Sequence, residues 1–282
     1  MQNPIGHLTR ALIVAAFVLC ASGAGAFEVA QIPASGFTLK AATLRPAGDG
    51  PFPVVVGLHG CGGLGKSLDN VNRRTRDWSD RLVAAGYAVV WPDSFGSRGL
   101  GQQCTTRKRT VRASVERAVD VETVRRWLVG QPWAKPDRMF LMGWSNGGAT
   151  TLWSIRPQRA PKDDTPDFRA AVAFYPGCRA PAQRGWRTRL PLLLLIGEAD
   201  DWTPADACAA MIDAARSDSA LIDYVTYPGA VHGFDDPNLP LRQRKGLAFT
   251  SDGSGTAWSG TDPKARADAI ERVSKWLERW KK

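Results

Sequence analysis

Apolar residues in this chain follow two rhythms, short unbroken runs and stripes that recur every three or four residues. Apolar runs at 53–58, 87–91 and 139–142 predict strands buried on both faces of a sheet, because a strand with one wet face alternates apolar and polar side chains, and 169–175, 190–196 and 221–227 read as further strands. Val111, Val115, Ala118, Val121, Val124 and Leu128 fall on one helical stripe. Helices are also predicted over 72–85, ended by Gly86, and over 149–155, 205–216 and 264–280. Two shorter strands, 28–32 and 37–44, flank the turn residues Pro33-Ala34-Ser35-Gly36 and read as an antiparallel edge hairpin. Strands alternating with helices across short connections predict an α/β fold with a doubly wound, mostly parallel sheet in a single domain. The polar linker 157–166 leaves little room for a lid domain.

Composition adds an address. With 282 residues, 44% of them hydrophobic, the chain has material for one large core and needs no second domain. Arg10 precedes an apolar run at 11–20, and Ala24-Gly25-Ala26 supplies the small residues a signal peptidase accepts, so 1–26 reads as a secretory signal and 27–282 as the exported domain, periplasmic or secreted. The run is too short to span a bilayer, so no stable membrane anchor is expected. Arg10 is the one charged residue of 1–26, which leaves the mature chain at +9. Arg73, Arg74, Arg107, Lys108 and Arg109 cluster without any nucleic-acid module pattern and read as a solvated basic face. Cys61, Cys104, Cys178 and Cys208 remain after the signal is removed, and in an oxidising compartment they allow three pairings. Cys61 with Cys104 and Cys178 with Cys208 is favoured, because each pair flanks a strand in the same way; each would close a loop worth about 4 kcal/mol by chain entropy. Four buried free thiols are the alternative.

The candidate chemistry centres on Met142-Gly143-Trp144-Ser145-Asn146-Gly147-Gly148. A strand, a sharp turn and a helix push a lone serine out of the sheet, and glycines two before and two after let neighbouring backbones pass close by. A serine hydroxyl needs a base, and the base needs a third group to hold its tautomer. Only His59 and His232 remain after the signal is removed, and in the order nucleophile, acid, base that such a sheet uses, only His232 qualifies. The acid belongs just past the preceding strand, where Asp200 is the first choice and Asp201 the alternative. The backbone amides of Asn146 and of Cys61, or else Gly60, are expected to bind the oxyanion. His59 is then expected to brace its loop. Trp144, Trp202 and Phe234 adjoin these residues and either line a substrate pocket or pack as core. No metal or cofactor is implied.

At these residues the chain resembles the dienelactone hydrolase family of the α/β-hydrolase fold. The matching features are the turn His59-Gly60-Cys61-Gly62-Gly63, Pro92-Asp93, the elbow at Ser145, Asp200-Asp201-Trp202-Thr203-Pro204 after Gly197, and His232-Gly233-Phe234. The resemblance implies a triad of Ser145, Asp200 and His232 acting on small-molecule esters or lactones through an acyl-enzyme. Namesake members use a cysteine nucleophile and a small anionic cyclic substrate, whereas a serine stands here, which points to a general carboxylic ester hydrolase. Arg98 lies near the place where namesake members hold a substrate carboxylate, about a residue out of register, and reads as a surface arginine. A non-catalytic binding protein and a peptidase on the same fold are the competing readings.

Overall fold

The computed structural model describes residues 25–281, so the signal expected at 1–26 lies outside the described residues except for its last two. Eight strands form one sheet: β1 (Glu28–Ala34), β2 (Phe37–Leu44), β3 (Phe52–Leu58), β4 (Ala88–Pro92), β5 (Ala134–Trp144), β6 (Ala170–Phe174), β7 (Leu192–Gly197) and β8 (Ile222–Tyr227). Their order is β1-β2-β4-β3-β5-β6-β7-β8, antiparallel at the β1, β2 and β4 pairings and parallel from β4 onward. The predicted hairpin is therefore the sheet's edge. The inner parallel strands carry the apolar runs because both of their faces are covered, whereas the edge strand β8 is buried only at Ile222 and Tyr227.

Those helices are α1 (Arg73–Ala84), α2 (Glu116–Val129), α3 (Asn146–Ser154), the single turn α4 (Arg179–Ala182), α5 (Ala205–Ala215) and α6 (Pro263–Trp280). Local chemistry sets their ends. Asn72 Oδ1 accepts the Thr75 N–H at 3.0 Å to cap α1, and Asp262 accepts the N–H groups of Lys264 and Ala265 ahead of α6, with Pro263 in the first turn. None of the described helices is long and apolar enough to cross a membrane.

Two features depart from the expected elements. The stripe begins at Val111, but α2 begins at Glu116: Val115 has φ −127° and ψ −85°, and the Glu116 carboxylate binds the Arg112 N–H at 2.8 Å and its guanidinium at 2.6 Å, which holds 112–115 out of the helix. The second is a small antiparallel pair, β9 (Arg242–Arg244) with β10 (Ala257–Ser259), in the excursion between β8 and α6. Its strands have three residues each, too few for an apolar rhythm to reveal.

Both favoured cystines are formed, Cys61 with Cys104 and Cys178 with Cys208, across separations of 43 and 30 residues. The first ties the loop after β3 to the loop that precedes α2. The second ties the loop after β6 to α5. Such bonds suit an oxidising environment.

Candidate active site

Parallel strands present their carboxyl ends at one edge of the sheet, and the residues singled out above gather there. Ser145 sits between β5 and α3 with φ 53° and ψ −114°, a strained conformation that the surrounding chain enforces. Its glycine neighbours are required by contact. A Cβ on Gly143 would stand 2.3 Å from the Gly147 carbonyl oxygen, and one on Gly147 would stand 2.0 Å from the Leu58 carbonyl oxygen. The Ser145 N–H donates to the Phe174 carbonyl at 2.9 Å, which fixes the turn against β6.

His232 lies in the loop after β8, and its Nδ1 is 2.8 Å from Asp200 Oδ2. Asp200 follows β7 and is held by three donors: the N–H groups of Trp202 and Thr203 to Oδ1 at 2.9 and 2.8 Å, and the Thr203 hydroxyl, 3.1 Å from Oδ2. Asp201 points elsewhere. Its Oδ1 accepts the Trp258 N–H at 2.8 Å and so anchors β10. Thr203 and Tyr175 complete the shell, and neither was given a role from the sequence. Thr203 Oγ1 is 3.0 Å from the Tyr175 carbonyl and 3.1 Å from His232 Nδ1, while the Tyr175 ring, on a residue with φ 34°, backs the imidazole at 4.6 Å. A tyrosine with positive φ leaves no mark in the sequence.

Among the described residues, no hydrogen bond uses the backbone N–H of Asn146 or of Cys61. Arg117, wholly buried on α2, joins the two loops that carry these amides: its Nη1 donates to Asn146 Oδ1 at 2.5 Å and its Nη2 to the His59 carbonyl at 2.9 Å. Burial pushes its guanidinium down to about 9, which leaves it charged at neutral pH. His59 donates Nδ1–H to the Gly60 carbonyl at 2.8 Å and meets Phe95 edge-on at 4.8 Å.

Burial, and then the Arg117 charge, hold the His59 ring well below its ordinary 6.5. The unfolded chain takes up a proton on this ring below that pH and the folded chain does not, so the unfolded state binds more protons. Stability is therefore expected to fall as pH drops below 6.5, by up to ~1.4 kcal/mol per pH unit from this group, until the folded ring itself protonates. Urea unfolding at several pH values, native against His59→Gln, checks it. The variant should show a shallower acid limb, and parallel limbs would place the sensitivity elsewhere.

Behind Ser145 lies a buried carboxylate that the sequence did not announce. Asp235 Oδ2 accepts the indole N–H groups of Trp78 and Trp144 at 2.8 and 2.7 Å, and Oδ1 accepts the Tyr175 hydroxyl at 2.5 Å. One side chain thus links α1, the elbow, the loop after β6 and the His232 loop. Asp235→Ala should cost about 3–5 kcal/mol by orphaning buried donors, roughly a 10 °C fall in Tm for a domain of this size. A melt within about 2 °C of the native protein would show that water replaces the carboxylate without loss.

Two cavities meet at Ser145. One of about 290 Å³ is lined by His59, Trp91, Trp144, His232 and Arg74 among others, and one of about 800 Å³ by Asn146, Trp153 and the 107–112 loop. Ser145, Cys61 and Trp202 border both. Trp202 lies 4.6 Å from the imidazole and is half-buried, whereas Trp144 is a floor residue stacked on Phe174 at 5.3 Å. Phe234 is not on either wall. It packs among Phe174, Tyr175 and Tyr227 with no exposed surface, because the His232-Gly233 turn directs it inward. Arg98 is not a free surface arginine either, since it forms a two-pronged pair with buried Asp120 at 2.7 and 2.9 Å.

The sheet order, the elbow serine and the site at the carboxyl edge define an α/β-hydrolase fold. Residues 39–280 match the dienelactone hydrolase family, and the chain belongs to it. It is 25% identical over 225 residues to a provisionally named carboxymethylenebutenolidase of Escherichia coli strain K12, covering 74% of this chain and 78% of that one. Among solved structures it is similar to a dienelactone hydrolase-like promiscuous phosphotriesterase from metagenomic libraries, with TM-score 0.68 and 19% identity over 91% of this chain and 99% of that one. It is also similar to Thermogutta terrifontis esterase 2, with TM-score 0.64 and 18% identity over 92% and 97% of the two chains. The protein is a carboxylic ester hydrolase.

Proposed function

We propose that this is an exported serine esterase that acts on carboxylic esters or lactones through an acyl-enzyme. Ser145 attacks the carbonyl carbon while His232 Nε2 takes the hydroxyl proton, and Asp200 holds the Nδ1–H tautomer and stabilises the imidazolium. The amides of Asn146 and Cys61 receive the oxyanion, each worth about 3 kcal/mol in the transition state. His232 then returns the proton to the leaving alcohol. Water repeats the sequence to release the acid. The observation that carries this reading is the 2.8 Å contact between Asp200 and His232, on a histidine that borders the same cavity as Ser145. Export is supported by the two cystines and by the leader-like composition of 1–26.

An aryl fluorophosphonate followed by peptide mass spectrometry tests it. A single adduct on the peptide that contains Ser145 is expected, and folded protein that takes up no label would refute an activated serine.

A further inference from the structure

The basic cluster at 107–109 is solvated at Arg107 and Lys108, which are exposed, with Arg109 half-buried, and all three also line a cavity. Six cations line the 800 Å³ cavity that opens beside Ser145: Arg107, Lys108, Arg109, Arg112, Arg179 and Arg184. Among the described residues no aspartate or glutamate lines it. Arg112 alone has a carboxylate partner, Glu116 at 2.6 Å. Arg109 and Arg179 are tied to neutral carbonyls, Gln103 at 3.0 Å and Ser251 at 2.6 Å, and Arg109 and Arg184 also lie over the Phe249 and Trp153 rings at 4.8 and 5.9 Å. These contacts place the guanidinium groups without neutralising them. Burial with no carboxylate beside it pushes Arg109 below its ordinary value.

The walls are also braced. The Cys61–Cys104 bond anchors the base of the 107–112 loop, and the Cys178–Cys208 bond anchors α4, which carries Arg179. Like charges held around one cavity repel each other when it is empty, and several anionic groups spaced along a ligand relieve that repulsion. A single carboxylate cannot answer the five lining cations that have no carboxylate partner. The ligand must also carry a carboxylic ester that reaches the cavity's end at Ser145, which disfavours a nucleic acid. Exposed or half-buried rings at Phe249 and Trp202 offer apolar faces to the chain between its charges.

We propose that the 800 Å³ cavity is a binding trough for an acidic glycan, a sugar chain with repeated carboxylates whose hydroxyls bear the ester. The glycan is the leaving alcohol and its acyl group enters the 290 Å³ cavity. This rests on the serine esterase reading, and the test separates the two.

Acetate release is followed from an O-acetylated oligogalacturonide and from an O-acetylated xylooligosaccharide of equal length and acetyl content. The expected result is a kcat/KM at least about 10-fold higher on the acidic chain at low salt, with the ratio collapsing towards one near 0.3 M salt as the charges are screened. The ratio should also collapse in the triple variant Arg107→Ala, Lys108→Ala, Arg179→Ala and survive in Arg107→Lys with Arg179→Lys. Calorimetry on Ser145→Ala with the deacetylated oligogalacturonide reads the trough without chemistry. Binding there that the triple variant loses supports the trough even if no ester is cleaved. Acetate release at equal efficiency from both chains overturns the trough and leaves the esterase standing. Equal or tighter binding of single-stranded DNA of matched charge overturns the sugar assignment.

Discussion

Replacing Ser145 by alanine should lower kcat on an aryl ester by about 10⁴- to 10⁶-fold while leaving the fold intact. The two halves of this expectation have separate causes. The hydroxyl is the only atom removed, and among the described residues it takes part in no hydrogen bond that holds the elbow; the turn is fixed by the Ser145 N–H to the Phe174 carbonyl and by the close passages at Gly143 and Gly147. Alanine accepts the same strained φ as serine, with the same Cβ. Thermal melting should therefore move by less than about 2 °C, since the change is worth under ~0.5 kcal/mol. Under the proposed mechanism the rate falls because the variant lacks the hydroxyl that forms the acyl intermediate, and what remains comes from the proposed oxyanion donors and binding. Single-turnover kinetics beside a melt checks both halves. A rate within tenfold of native would move the chemistry to a different group.

Asp200→Asn should cost about 10⁴-fold in kcat, and Asp201→Asn less than about threefold. In the proposed mechanism the carboxylate accepts Nδ1–H from His232, which leaves Nε2 unprotonated and able to take the serine proton. An asparagine held by the Trp202 and Thr203 amides keeps its carbonyl on them and turns its NH₂ toward the imidazole, where it donates to Nδ1. The proton then sits on Nε2 and the base is blocked. At Asp201, among the described residues, the carboxylate accepts the Trp258 N–H alone, and an asparagine carbonyl serves it equally well. Steady-state rates of the two variants decide the matter. The reverse pattern would make Asp201 the acid and the observed 2.8 Å pair a bystander.

Much of the architecture was legible because burial on two faces writes itself as an unbroken run. The strands expected at 53, 87, 169, 190 and 221 appear within about two residues of their predicted bounds, whereas β5 begins at Ala134, ahead of its apolar run, and β8 is fully buried only at Ile222 and Tyr227. The elbow was legible for a different reason: only glycine fits where a Cβ would meet a carbonyl at 2.0–2.3 Å, so the turn geometry constrains the letters directly. The start of α2 was not, because the Arg112–Glu116 clasp and the cystine at Cys104 override a helical stripe with a local bond and a long-range one.

By itself the sequence determined the sheet class, the elbow, the histidine that follows the last strand and the pool of two carboxylates beside it, since each depends on residue type at a fixed local spacing. Tertiary structure alone decided which carboxylate meets the imidazole. It turned Phe234 into core, joined Asp235 to Trp78, Trp144 and Tyr175 across as many as 157 residues, and brought the basic run at 107–112 to the same cavity as Arg179 and Arg184. The physical reason is the same in each case. A hydrogen bond or a shared field acts over a few ångströms of space, and only the packed chain sets which residues distant in sequence come that close.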